Sequence, residues 1–296
     1  MGILDKFKDM LGAGAGAGTV LDVSKRFAMD RTSFSGTMSK FHVATEIATN
    51  KKFGIKFLDK EQLATFRARF KGLKKPEEAE IAMSINHPRI VKTFEFGKTT
   101  RGIEYILMEH IPGTGLNNLI NNKHPGVIKN RLTLLRQMAE CIQFVHDSKF
   151  IHRDICPRNF IVEENCESLK LIDFGLTVPD EEPYHRPGNR TGTPQYMAPE
   201  IVRRRQTDRR VDLFSFGVTA YKTLTFKHPW DTKETTGLAA LNHDRRPATD
   251  IREHRPDINE RLADAVHKCL EIDAKDRMPS CKKFLSKIRT LESDVA

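Results

Sequence analysis

What this 296-residue chain lacks narrows its class first. Its five cysteines, at 141, 156, 166, 269 and 281, form no CxxC pair and no Cys/His metal spacing. An odd, scattered set argues against a disulfide framework and suits reduced thiols. No apolar run is long enough to span a bilayer, and no signal peptide is visible. A soluble, cytoplasmic protein is expected. No internal repeat and no second domain are visible, which argues against a repeat array. Acidic charge is in short supply as well: 49 Lys and Arg face 39 Asp and Glu, for a net charge of +10. That balance favours acidic partners without choosing among them.

What is present allows a sizeable core, since 39% of the residues are hydrophobic. Residues 1–30 read as an extension. Ile3, Leu4, Phe7, Met10 and Leu11 fall at helical spacing between charged residues, and a Gly/Ala run, Gly12 to Gly18, follows as a linker. Such a helix either docks a partner or membrane surface, or packs on its own domain. From about 31 to 111, apolar and alternating runs near 40–47, 52–58, 91–97 and 103–109 predict strands. Gly97 and Gly102 bracket a turn that pairs the last two. A helical stretch carries Leu63, Phe66, Phe70 and Leu73. Beyond 112, helices are predicted over 128–147, 258–271 and 279–292.

One stretch organises the rest. It opens His152-Arg153-Asp154-Ile155-Cys156-Pro157-Arg158-Asn159, passes through Asp173-Phe174-Gly175, and closes Gly192-Thr193-Pro194-Gln195-Tyr196-Met197-Ala198-Pro199-Glu200. Between Asn159 and Asp173, Phe160-Ile161-Val162 and Leu169-Lys170-Leu171-Ile172 flank a polar turn. They predict a short hairpin that brings Asn159 and Asp173 together.

These three ordered segments resemble the catalytic loop, magnesium loop and activation segment of the eukaryotic-type (Hanks-type) protein kinases. The resemblance covers roughly 31 to 290 and implies an α+β, bilobal protein kinase fold. Its small lobe, 31–111, would be an antiparallel β-sheet with a helix C, and its larger lobe, 112–290, mainly helical. The implied activity is ATP- and Mg²⁺-dependent phosphoryl transfer to Ser/Thr hydroxyls of protein substrates, with autophosphorylation; nucleic acid is not an expected partner. Phosphoryl transfer asks the protein for positioning, charge neutralisation and an acceptor for the hydroxyl proton. Asp154 would orient the hydroxyl, and Asn159 and Asp173 would offer oxygens to a hard cation.

Further residues follow from the same resemblance. Lys56 matches the strand lysine that holds the α- and β-phosphates. Glu78 is its expected partner, with Glu77 and Glu80 as competitors, and Pro76 would set the start of their helix. Met108 is the expected gatekeeper; Glu109 and Ile111 would bond adenine through their backbone, with Val43 above the base and Ile161 below it. Asp212 would brace the catalytic loop, and Arg277 would pair with Glu200. Arg153 implies control by a phosphate on the activation segment, at Thr191, Tyr184 or Thr177.

The chain also departs from the family. The glycine-rich loop, Gly36 to Val43, keeps only Gly36; Met38 and Phe41 stand where glycines belong, which should reshape the loop or weaken its phosphate contacts. Cys156 replaces a lysine, and Arg158 is the expected source of the missing positive charge. Arg158, Arg203–Arg205, Arg209 and Arg210 together suit an acidic substrate. A pseudokinase that binds nucleotide or acts as a scaffold is the alternative reading, and a small-molecule phosphotransferase is a third.

Overall fold

The computed structural model describes residues 19–35, 39–187, 191–230 and 246–296. The amphipathic stretch 3–11, the Gly/Ala run and Gly36 lie outside them. The chain divides into two units, Met1–Pro112 and Gly113–Ala296.

The first unit holds β1 (Thr19–Leu21), α1 (Val23–Arg26), β2 (Phe27–Ser35), β3 (Ser39–Glu46), β4 (Lys52–Leu58), α2 (Lys60–Ala68), α3 (Glu78–Ser84), β5 (Thr93–Thr99) and β6 (Glu104–Glu109). The strands form one sheet in the order β1-β5-β6-β4-β3-β2. Only the β1–β5 pair is parallel. All four predicted strands are present, as β3 to β6. The β5–β6 turn lies beyond Gly97, which stays in the strand. It closes with the Gly102 N–H on the Thr99 carbonyl at 2.8 Å, and Gly102 takes φ +73°, open to glycine at no steric cost.

Two features differ from expectation. The sheet starts at Thr19, inside the stretch read as an extension. Leu21 and Phe27 are buried with Ala44, Ile55, Tyr105 and Leu107 in the sheet core. β1 is too short to show alternation, and its partner β5 is distant in sequence. The helical stretch predicted through Leu73 is also shorter than expected. α2 ends at Ala68, and Gly72 turns the chain with φ +85°. Phe70 lies past the helix end and still packs edge-on to Phe66, ring centres 5.3 Å apart.

The second unit holds β7 (Gly113–Gly115), α4 (Leu116–Asn121), α5 (Pro125–Asp147), β8 (Phe150–Ile151), β9 (Phe160–Glu163), β10 (Leu169–Leu171), β11 (Val178–Pro179), α6 (Glu182–His185), α7 (Pro199–Val202), α8 (Arg210–Thr225), α9 (Glu260–Cys269) and α10 (Cys281–Ile288). The predicted helices appear as α5, α9 and α10. Leu135, Met138, Ile142 and Val145 on α5 are fully buried. α8 is buried along nearly its whole length, and its Ser215, Thr219 and Thr223 hydroxyls donate to the carbonyls one turn earlier. Gly217 lets it approach α9 closely, because a Cβ there would lie 2.8 Å from Cβ of Cys269. Asn259 and Ser280 cap α9 and α10 by accepting from Arg261 N–H and Lys283 N–H.

A buried ion pair ties α7 to the segment between α9 and α10. Arg277 meets Glu200 through two bonds, of 2.7 and 3.0 Å. It also donates to the carbonyls of Glu271, Ile272 and Arg210, and its guanidinium lies 5.1 Å from the Phe214 ring centre. Removing one partner of such a pair strands the other charge without water. Arg277→Met should therefore lower unfolding free energy by about 3–5 kcal/mol. Urea denaturation of the two proteins checks this; a loss under about 1 kcal/mol would mean that solvent reaches Glu200.

Candidate active site

In the first unit, Lys56 sits mid-strand on β4, its side chain mostly buried, with Nζ 2.5 Å from Glu78 Oε1. Glu78 is the first residue of α3, where a negative side chain suits the helix dipole. The competing glutamates have other tasks. Glu77 is the N-cap, and its N–H donates to Glu80 Oε2 at 2.8 Å in a capping box. Glu77 Oε1 also accepts from Arg67 Nε at 2.9 Å. The helix begins after Pro76, whose ring lies outside it.

Lys56, Val43 and Met108 line one face of the sheet. Val43 is the register partner of Gly54 on β4, and Gly54 that of Met108 on β6. Glu109 closes β6. Its N–H donates to the Lys92 carbonyl at 2.9 Å, and its side chain accepts from Lys92 N–H at 2.7 Å. Ile111 follows, half-buried. Phe41 lies in regular strand, since β3 starts at Ser39; Met38 is outside the described residues. The substituted loop thus continues as sheet at Phe41.

In the second unit, the loop from His152 to Asn159 hangs from Asp212 on α8. This carboxylate accepts from the N–H groups of His152 and Arg153, both at 2.8 Å, and meets His146 Nε2 at 2.9 Å. Burial opposes its charge, but the hydrogen bond and charge of His146, together with His152, hold its carboxyl below the usual range. Burial also lowers the His152 pKa and favours the neutral ring. His146 was not singled out from sequence; it sits in the last turn of α5, and only the fold brings it to Asp212.

The Asp154 carboxylate is held by three hydrogen bonds from two residues. Its Oδ1 accepts from Thr193 N–H at 2.9 Å and Thr193 Oγ1 at 2.7 Å. Its Oδ2 accepts from the Asn159 amide at 3.0 Å, and the same amide donates to the Asp154 carbonyl at 2.7 Å. With the Asn159 amide nitrogen so engaged, its Oδ1 is the atom left for a cation. Arg158, exposed, donates to Thr193 Oγ1 at 3.0 Å. Arg158, Thr193 and Asp154 are thus brought together. Cys156 lies beneath them, fully buried, 3.7 Å from Thr193 Oγ1. Burial, and then the Asp154 charge, push its thiol up to about 11. It is a neutral thiol and supplies no charge.

The hairpin does what its sequence suggests. β9 and β10 pair antiparallel with Phe160 opposite Leu171, and Ile172 N–H donates to the Asn159 carbonyl at 2.8 Å. Asn159 and Asp173 therefore leave the same end. Ile161 lies mid-strand on β9, half-buried, beside Gly115 of β7. Asp173 is exposed, with Oδ1 accepting from Gly175 N–H at 3.0 Å. Phe174 is buried against the His152 ring, centres 5.3 Å apart. Arg153 and Asp173 both take left-handed φ, +65° and +66°, a rare state for side chains with a Cβ. Strain of this kind persists where surrounding bonds over-determine the backbone. At Arg153 those bonds are the ones to Asp212.

The Arg153 side chain points into the unit. Its Nη2 donates to the Tyr184 carbonyl at 2.8 Å and Thr207 Oγ1 at 3.0 Å, while Nε and Nη1 are buried without a hydrogen-bond partner. Tyr184 and Thr207 were not foreseen as partners; a backbone carbonyl leaves no mark on sequence. Thr191, Tyr184 and Thr177, the expected phosphate acceptors, are all buried in this arrangement.

The family comparison agrees with this geometry. Residues 34–287 match the protein kinase domain. The chain is 26% identical over 284 residues to the serine/threonine-protein kinase pkn3 of Myxococcus xanthus, covering 92% of this chain and 51% of pkn3. It is 25% identical over 275 residues to the serine/threonine-protein kinase PrkC of Bacillus subtilis, covering 90% and 41%. It is 32% identical over 216 residues to pkn2 of M. xanthus, also a serine/threonine-protein kinase, covering 70% and 25%. The chain thus spans about half or less of the length of these relatives. With its ordered motifs and bilobal α+β elements, the chain belongs to the eukaryotic-type (Hanks-type) serine/threonine protein kinase family.

Proposed function

We propose that the chain transfers the γ-phosphoryl group of ATP, with Mg²⁺, to serine and threonine hydroxyls of protein substrates, its own included. The observation that carries this reading is the Asp154 carboxylate, fixed by Thr193 and Asn159 beside an exposed arginine. Thr193 donors engage Oδ1. Oδ2 receives only the Asn159 amide among the described contacts, so it is the oxygen that orients the acceptor hydroxyl and takes its proton. Lys56, steadied by Glu78, would hold the α- and β-phosphates. Arg158 would set a permanent positive charge near the γ-phosphate. Val43, Met108 and Ile161 are each proposed as contacts of the base. Glu109 would bond it through its carbonyl, its N–H being engaged by Lys92, and Ile111 through its N–H.

The metal reading fits the donor set. Among the described residues no group of three or more His, Cys, Asp or Glu could hold an ion alone. Asn159 Oδ1 and an Asp173 carboxylate oxygen form an incomplete oxygen set. That suits Mg²⁺, which keeps waters and takes phosphate oxygens beside one or two carboxylates. Bound there, the ion would neutralise phosphate charge. No helix among the described residues is long and apolar enough to cross a membrane; the five free cysteines suit a reducing compartment, and the cytoplasm is the proposed one.

Asp173→Ala should abolish transfer at saturating Mg²⁺ and leave the fold intact, since the side chain is exposed on a loop. Mass spectrometry of the chain and a general protein substrate after incubation with ATP reads the first, circular dichroism the second. Activity within a few-fold of wild type would sink the metal assignment, and nucleotide binding by a wild type that transfers nothing would sink the enzymatic reading.

Asp154→Asn removes the charge and the proton acceptor while Lys56, Asn159 and Asp173 remain. It should lower kcat by about 10² to 10⁴ and leave ATP affinity nearly unchanged. A variant that keeps its kcat would take Asp154 out of the chemistry. For substrate choice, Arg158, Arg203, Arg204, Arg205 and Arg209 are exposed, whereas Arg210 is engaged by Asp208 at 2.6 Å and by the Ala274 carbonyl. Acidic peptides should outperform basic ones in a library screen, and a preference for arginine upstream of the acceptor would refute this.

A further inference from the structure

Gly54 occupies the middle of a central strand, where a missing side chain weakens the sheet. Its neighbours explain it. A Cβ at 54 would lie 2.6 and 2.7 Å from Cε2 and Cζ of Phe41, and 3.1 Å from Cγ of Met108. Phe41 is the register partner of Lys56, and Val43 that of Gly54. Cross-strand partners share a face, and diagonal neighbours come within reach of an aromatic ring. Lys56 turns toward α3, where it meets Glu78. The Cε2–Cζ edge of the Phe41 ring therefore lies against β4 at Gly54, on the face of Lys56, Val43 and Met108.

We infer that Phe41 is an internal plug on the nucleotide site, its ring resting on Gly54 where the base and ribose would otherwise pack. This rests on the reading of Val43, Met108 and Lys56 as nucleotide contacts. Two bulky flat groups cannot both lie against Gly54. Nucleotide enters when the ring swings away about its side-chain torsions, which leaves the β3–β4 ladder in place. Phe41 is half-buried and so not locked on all sides by the core. A site that is competent only part of the time binds with its affinity reduced by that fraction. The same substitution that removes a phosphate-cradling glycine thus also inserts a competitor for the base.

The test is nucleotide affinity of the full chain, measured by calorimetry with ATP and Mg²⁺ for wild type, Phe41→Gly and Phe41→Ala. Removal of the ring should tighten binding about tenfold, the gain expected if the open state is about a tenth of the population. Unchanged or weaker binding in both variants overturns the plug and leaves the kinase reading standing. A second readout needs no nucleotide. Gly54→Ala should lower Tm in the wild type and cost clearly less in the Phe41→Ala background, because the ring makes the two closest contacts to the new methyl and only Met108 Cγ, at 3.1 Å, would remain. Additive effects overturn the contact itself. Coupled effects without nucleotide binding in any variant overturn the nucleotide site, and the plug as its occupant falls with it.

Discussion

The second unit depends on one carboxylate. Asp212 lies on a helix that is itself buried, and it accepts the N–H groups of two consecutive loop residues, His152 and Arg153. Both lie immediately before the candidate base, Asp154. A buried charge must be compensated, and here the compensation is the loop backbone together with His146. The dependence runs both ways. The loop supplies the donors that make a charge tolerable in the core, and the charge holds Arg153 at a φ that few non-glycine residues adopt. The position of Asp154 follows from that backbone and from Thr193, so packing fixes its carboxylate before any substrate arrives.

Much of this was legible because it is local. Asn159 and Asp173 converge through a hairpin whose alternating strands and polar turn are plain in the sequence. Lys56, Glu78, Asp212 and the Glu200–Arg277 pair were found through motifs. Geometry then chose Glu78 over its neighbours, since Glu77 and Glu80 are consumed by capping α3 and by Arg67. What stayed hidden has a common physical character. β1 is a three-residue strand stabilised by a distant partner, so no period betrays it. The Tyr184 anchor of Arg153 is a backbone carbonyl, and the Phe41 contact is with a glycine backbone. Neither carries a side-chain signature.

The departures from the family pattern also differ in kind. At Phe41, where the family has a glycine, the backbone stays in regular strand and a ring is added to the face lined by Lys56, Val43 and Met108. At Cys156 a lost lysine is filled by a buried thiol, and the difference is one of charge. A thiol with a pKa pushed to about 11 is neutral near pH 7, so it cannot stand in for an ammonium.

On the proposed reading, positive charge near Asp154 comes from elsewhere on the loop, and the geometry restricts the source. Arg153 is turned inward to Tyr184 and Thr207. Arg158 leaves the turn just before Asn159, is exposed, and reaches Thr193 Oγ1, which itself donates to Asp154. A guanidinium stays charged at any physiological pH and presents several donors in a rigid fork. One of them goes to Thr193, and the fork geometry leaves others for phosphate oxygens. Replacing an ammonium by this group changes the reach and direction of the charge more than its presence. The chemistry proposed for the loop would therefore depend on where Arg158 points, and its guanidinium is held by Thr193, the residue that also fixes Asp154.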